Sequence, residues 1–252
     1  LFPDLELDWA DIQLVDGKPL SWLDYQRHEL HLAENLLASD TCLLSQMLDK
    51  SRYLVEIIGP GVEFEHIPSS QINPAIVDAL LVRELLSLYF PRDVYLEPEC
   101  NFVARAFAEK LIAAAANPAS VNWLDESLSF DALGALKLGR LDAESESLLR
   151  RFVYCRIFSK LYFGPGLGSL SLLAGFHHLA ILMALLRIDL KVKLASSEER
   201  NGAAPTFEQV AESLRCLERR LTVATFSLEA TATLEALLQS PARLKRIMAM
   251  AG

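Results

Sequence analysis

The feature that most constrains this chain is the run from Leu167 to Leu186, twenty residues without a formal charge. That length suffices to cross a bilayer as a helix. The run also contains Gly168, Ser169, Ser171, Gly175, His177 and His178, and Arg187 follows it directly. Neither flank supplies an aromatic belt with a matching basic loop. A helix that is apolar all round also describes the centre of a water-soluble bundle. The expected reading is therefore a core helix, with no membrane span favoured. The rest of the chain agrees: 52% of residues are hydrophobic and 23% charged. A chain this apolar buries enough surface to offset its ordering entropy, which excludes disorder.

Helical periodicity dominates beyond Ser70. Asn73-Pro74 reads as an N-cap with proline in the first turn, where its missing N–H costs nothing. Val77, Leu80, Leu81, Leu85 and Leu88 form the stripe behind it, and Pro91 ends it. Further helices are expected over 98–116, 130–138, 142–163, 169–194, 206–221, 227–239 and 241–251, with Thr206 and Gln209 as a capping box. Before residue 70 the pattern is mixed. Short alternating runs at Leu5-Glu6-Leu7 and Asp11–Val15 precede the turn signal Asp16-Gly17. Ser21 opens a helix through about Ala38, and Thr41 caps a shorter one from Cys42 to Lys50. Tyr53–Ile58 and Val62–Ile67 flank Gly59-Pro60-Gly61 and read as a hairpin or two short strands. The expected fold is mainly α: a multi-helix bundle with a small β element near the N-terminus. It divides into a mixed α/β annex over 1–70 and a helical bundle over 71–252, or forms one continuous domain.

Net charge is −9, from 24 Lys and Arg against 33 Asp and Glu. The densest basic stretches, Arg215–Arg220 and Arg243–Arg246, lie on amphipathic helical patterns and read as solvated faces. No nucleic-acid partner is expected. Cys42, Cys100, Cys155 and Cys216 are far apart with no CxxC, so they read as buried free thiols suited to a reducing compartment. The free thiols make a cytoplasmic location the expectation; no basic segment followed by an apolar one is present at Leu1, so it does not read as the opening of a signal peptide.

Two constellations are candidates for chemistry. His28, His31 and Glu34 are spaced i, i+3, i+6, so two histidines and a carboxylate could share a metal, with His66 as an addition. The spacing matches neither HExxH nor the ExxH of di-iron bundles. His177-His178 is the polar pair of the apolar helix. Adjacent positions point about 100° apart, so the pair cannot hold one metal from one face. The expectation is a hydrogen-bonded core histidine beside one that reaches a groove, with Phe176, His177 and His178 as pocket candidates. No GxSxG, P-loop or GxGxxG after a strand is present.

The order of elements carries a resemblance. Val62-Glu63-Phe64-Glu65-His66-Ile67 is followed by a helical run, then by Glu146–Phe158, the apolar helix, and Phe207–Arg219. This pattern resembles the region downstream of the cysteine cluster in flagellin lysine-N-methylase-like, YkgJ-type cysteine-cluster proteins. The cluster itself, which the resemblance would assign to a metal or iron–sulfur centre, is missing, so no ligand or catalytic residue carries over. The resemblance implies a non-catalytic helical scaffold or partner-recognition module of a longer protein. The alternatives are a metal-dependent enzyme built on His28, His31 and Glu34, and a bundle binding a small apolar ligand near Phe176, His177 and His178. No cofactor is indicated, and the expected partner is another protein.

Overall fold

The computed structural model describes residues 12–38, 41–59, 72–90, 101–122, 124, 128–196, 202–222 and 226–252. Two short antiparallel strands, β1 (Gln13–Val15) and β2 (Lys18–Pro19), are joined by Asp16-Gly17, and Gly17 takes the left-handed conformation this turn needs (φ 75°). Ten helices follow among the described residues: α1 (Trp22–Ala33), α2 (Leu43–Ile58), α3 (Pro74–Tyr89), α4 (Ala104–Ala116), α5 (Phe130–Ala135), α6 (Ala143–Phe158), α7 (Leu172–Ser196), α8 (Phe207–Leu221), α9 (Leu228–Leu238) and α10 (Pro241–Ala251). The mainly α bundle with a small N-terminal β element is the observed fold.

The axis of the bundle is α7. Every residue from Ser171 to Leu186 is buried, and 94% of its most apolar window is covered by other elements. It packs against α2, α3, α8, α9, α10 and β1. The helix is long and apolar enough to cross a membrane, but here it is enclosed by other elements of the chain, some of which, such as α8, bury one face only. In α8, Val210, Leu214 and Leu217 are buried while Glu208, Glu212 and Glu218 are exposed. The capping box at its start is formed: Thr206 accepts from the Gln209 N–H and Gln209 accepts from the Thr206 N–H. At Gly175 the backbone of α7 comes so close to the segment before it that a Cβ would lie 2.0 Å from the Tyr162 carbonyl oxygen.

The second helix corrects the sequence reading. Tyr53–Ile58 is not a strand but the second half of α2, which runs sixteen residues from Leu43 to Ile58. Its buried positions Leu43, Leu44, Met47, Ser51, Leu54 and Ile58 keep helical spacing throughout, so one long stripe overrides the β-branched residues at its end. Gly59 closes it with φ 76° and a backbone bond to Val55, a helix end rather than a hairpin turn. Leu5–Leu7, Val62–Ile67 and Cys100 lie outside the described residues. The thiols also differ from expectation, since Cys42 and Cys155 are exposed and Cys216 is half-buried.

Buried ions tie the elements together. Asp78 of α3, fully buried, accepts from the guanidinium groups of Arg243 (2.9 Å) and Arg246, both on α10. Lys50 donates to the carbonyls of His31 and Glu34 at the end of α1, at 2.8 and 2.9 Å. Arg150 holds the following turn through the Leu36 and Thr41 carbonyls. A cation at a helix C-terminus meets both unpaired carbonyls and the negative end of the dipole. These contacts, with α2 packed on α7 and α10, join the described residues up to Gly59 to the same packed body.

Candidate functional site: a cleft at the mouth of the central helix

A cleft of ≈ 600 Å³ opens where α7 begins. One wall is a face of α9: Leu228, Thr231, Ala232, Glu235, Ala236 and Gln239 recur at helical spacing. The opposite face of α9, with Ala230, Leu234, Leu237 and Leu238, is buried. The other wall is β1 with its turn, contributing Ile12, Gln13, Val15 and Asp16. The rim between them is the connection from α6 to α7.

That connection is built from unusual backbone. Gly164, Gly168 and Ser169 all have positive φ (51°, 59° and 60°), and Ser169 is the one of the three with a side chain. Holding a serine there costs about 1 kcal/mol or more. The turn is fixed by an isolated bridge between Gly164 and Leu170 and by Thr231, whose hydroxyl donates to the Gly168 carbonyl at 2.7 Å. The Phe226 ring also packs so tightly on Gly168 that a Cβ there would lie 2.7 Å from it.

At the cleft floor Glu235 meets the first turn of α7. Its Oε2 accepts from the Ser171 backbone N–H at 2.9 Å, and its Oε1 accepts from the Ser171 hydroxyl. Gln239, 4% exposed, donates its side-chain amide to Oε1 at 2.6 Å. The Ser171 oxygen in turn accepts from the Ala174 N–H, capping α7. A carboxylate at a helix N-terminus is favoured by both the free N–H groups and the dipole. The Ser171 hydroxyl is thereby held in the cap, its proton directed to Glu235. No Lys, Arg or His is among the described lining residues.

The histidine pair lies elsewhere. His177 and His178 are both fully buried, which corrects the expectation that one of them reaches a groove. His177 Nδ1 lies 2.6 Å from the Leu238 carbonyl and Nε2 lies 2.6 Å from the Ser51 hydroxyl. The carbonyl only accepts, so the proton sits on Nδ1 and Ser51 donates to Nε2. This has the hydrogen-bond order of a serine–histidine dyad, but Ser51 is buried too (3% exposed) and no substrate atom can approach it. His178 Nε2 pairs with the Tyr89 hydroxyl at 3.0 Å, while its Nδ1 has no partner among the described residues. Burial pushes both imidazoles down to about 4, so they are neutral at pH 7. The candidates Phe176, His177 and His178 do not line the cleft, which stops at Ser171.

The other constellation gathers around Tyr53. His28 Nδ1 is 2.9 Å from the Tyr53 hydroxyl, and the His31 ring lies against the Tyr53 ring with centroids 3.7 Å apart. His31 Nδ1 is 3.9 Å from Glu34. Partial burial lowers the His28 pKa. The three residues share an exposed face, but among the described residues no three His, Cys, Asp or Glu side chains converge to hold a metal ion. Tyr53 takes the place between the histidines that an ion would need.

Sequence reasoning passed over Glu235 and Gln239 because Thr231, Glu235 and Gln239 at i, i+4, i+8 look like the wet side of an amphipathic helix. Asp16 was legible only as a turn residue. No family model, curated protein or solved structure shows a significant match to this chain.

Proposed function

We propose that this protein is a non-catalytic helical binding module whose recognition element is the cleft between β1, the α6–α7 connection and α9. The observation that carries this reading is the cleft itself. Its volume falls in the range that encloses most of a drug-sized molecule, and apolar surface on its walls alternates with a small number of polar groups. Ile12, Val15, Leu170 and the exposed Leu228 supply the apolar surface; Gln13, Glu235 and Gln239 supply direction. The non-catalytic part rests on the sealed Ser51–His177 pair and on the capping role of Ser171. It is also the role that the resemblance to cysteine-cluster proteins implies.

The test is a fragment screen read by two-dimensional NMR on the whole chain. Ligands should shift the amides of 163–171 and 228–239 together, and Ala232→Trp, which fills the cleft from an exposed position, should abolish those shifts. Hits that cluster around Tyr53 or elsewhere, and are insensitive to Ala232→Trp, would overturn the assignment. For the alternative metal site at His28, His31 and Glu34, elemental analysis after growth in metal-supplemented medium should find no stoichiometric metal.

A further inference from the structure

Carboxylates that leave water in this protein are matched by cations. Glu29 pairs with Lys160, Glu84 with Lys110, Glu146 with Arg150, Asp189 with Lys193, and Asp78 with Arg243 and Arg246, each within 4 Å. Glu235 is half-buried and is the exception: its partners are the neutral Ser171 and Gln239. A carboxylate has about four acceptor positions. Oε1 takes two donors and Oε2 only one, so a position on Oε2 stays open. Gln239 must turn its NH₂ toward the carboxylate, which leaves its amide oxygen without a donor among the described residues, on a residue that lines the cleft. Asp16, on the facing wall, has no ion pair among the described residues either. Among the described residues the cleft therefore presents two carboxylates and a free amide oxygen, and no cation.

We infer that the cleft takes a small organic cation, a protonated amine joined to an apolar body, with Glu235 and Gln239 receiving the ammonium at the α7 mouth. An ammonium offers three donors and no acceptor, the complement of this set of oxygens. The apolar body lies between Leu228 and the β1 residues Ile12 and Val15. An anionic ligand is disfavoured, because it would meet Glu235 and Asp16 without any compensating charge. The capping of α7 explains why an acid is tolerated at position 235; it does not explain why, alone among the half-buried acids of the described residues, it has no cation there. The inference rests on the cleft being a binding site.

The experiment uses three probes of one shape: 4-phenylbutylamine, 4-phenylbutanol and 4-phenylbutyrate, titrated into the whole chain and followed by NMR at the amides of 163–171 and 228–239. The amine should bind about tenfold or more tighter than the alcohol, and the carboxylate weaker than both. Glu235→Gln should reduce the amine's advantage over the alcohol to about twofold, and Asp16→Asn should reduce it partly. Asp16 is exposed and lies outside the α7 cap, so its variant keeps the test decisive if Glu235→Gln fails to fold. Equal binding of amine and alcohol in the cleft, or preference for the carboxylate, would overturn the cationic ligand while leaving the cleft a binding site. No shift at these amides with any of the three would overturn the cleft reading as well.

Discussion

Two polar clusters sit along the first turns of the same helix and have opposite fates. At His177 and His178 the polar atoms are turned inward: Ser51, Leu238 and Tyr89 receive them, and both rings are fully buried. At Ser171 the polar atoms of Glu235 and Gln239 face open volume with acceptors to spare. In the core a polar group is retained because its hydrogen bonds are closed, and leaving one open costs about 1–3 kcal/mol. At the mouth, the strained turn, the uncompensated carboxylate and the unused amide oxygen all occur together. Polarity within an apolar helix therefore marks structure here, and the open site lies on its less distinctive neighbour.

Acid should separate the two clusters most strongly. Both imidazoles are held near 4 in the folded chain, against an ordinary value of 6.5. The unfolded chain binds protons first, so stability is complete above about pH 6.5, falls as pH drops, and stops falling below about 4. Each histidine accounts for up to about 3 kcal/mol, and the pair together approaches the whole stability of a typical domain. Urea titrations at a series of pH values should show this slope, and His177→Leu with His178→Leu should flatten it between pH 6.5 and 4. A slope unchanged in the double variant would place the acid sensitivity elsewhere.

Packing around the sealed part of α7 gives the next largest effect. Gly175→Ala sets a methyl group against the Tyr162 carbonyl and the Phe163 side chain, and chemical denaturation should record a loss of about 4 kcal/mol. The two histidines should also differ from each other at pH 7. His177→Leu strands the Ser51 hydroxyl and the Leu238 carbonyl and should cost about 3 kcal/mol. His178→Leu strands only the Tyr89 hydroxyl while removing an unpartnered nitrogen, and should cost about 1 kcal/mol. Equal losses would mean that the unpartnered Nδ1 carries a bond that the structure does not reveal.

The smallest effects on stability belong to the cleft. Asp16→Asn and Ala232→Trp change exposed positions and should leave the denaturation midpoint within about 0.5 kcal/mol of the parent. Their effect should appear in ligand titrations instead. A large loss of stability from either would erase the distinction between the sealed region and the open one.

Much of the fold was legible because capping and periodicity are local. Asn73-Pro74, Ser21, Thr206 with Gln209, Ser227 and Ser240-Pro241 each start a helix where the residues indicate, with the side-chain oxygen accepting an N–H of the first turn. The misreading of 53–58 came from judging six residues by alternation when the stripe that decides them begins at Leu43. The site was less legible. His28, His31, Glu34 and the histidine pair drew attention by residue type, yet whether such groups converge depends on side chains from elsewhere, Tyr53 in one case and Ser51 and Tyr89 in the other.

By itself, then, the sequence determined that this chain folds as a helical body around one uniformly apolar segment, because burial of that segment and the capping of its neighbours are properties of short stretches. Only the tertiary structure decided which polar residues are closed off and which remain open. A hydrogen bond between residues 126 positions apart, as from Ser51 to His177, or 64 apart, as from Ser171 to Glu235, has no trace in spacing. It exists because packing brings the two groups together, and packing likewise left Glu235 without a cation among the described residues.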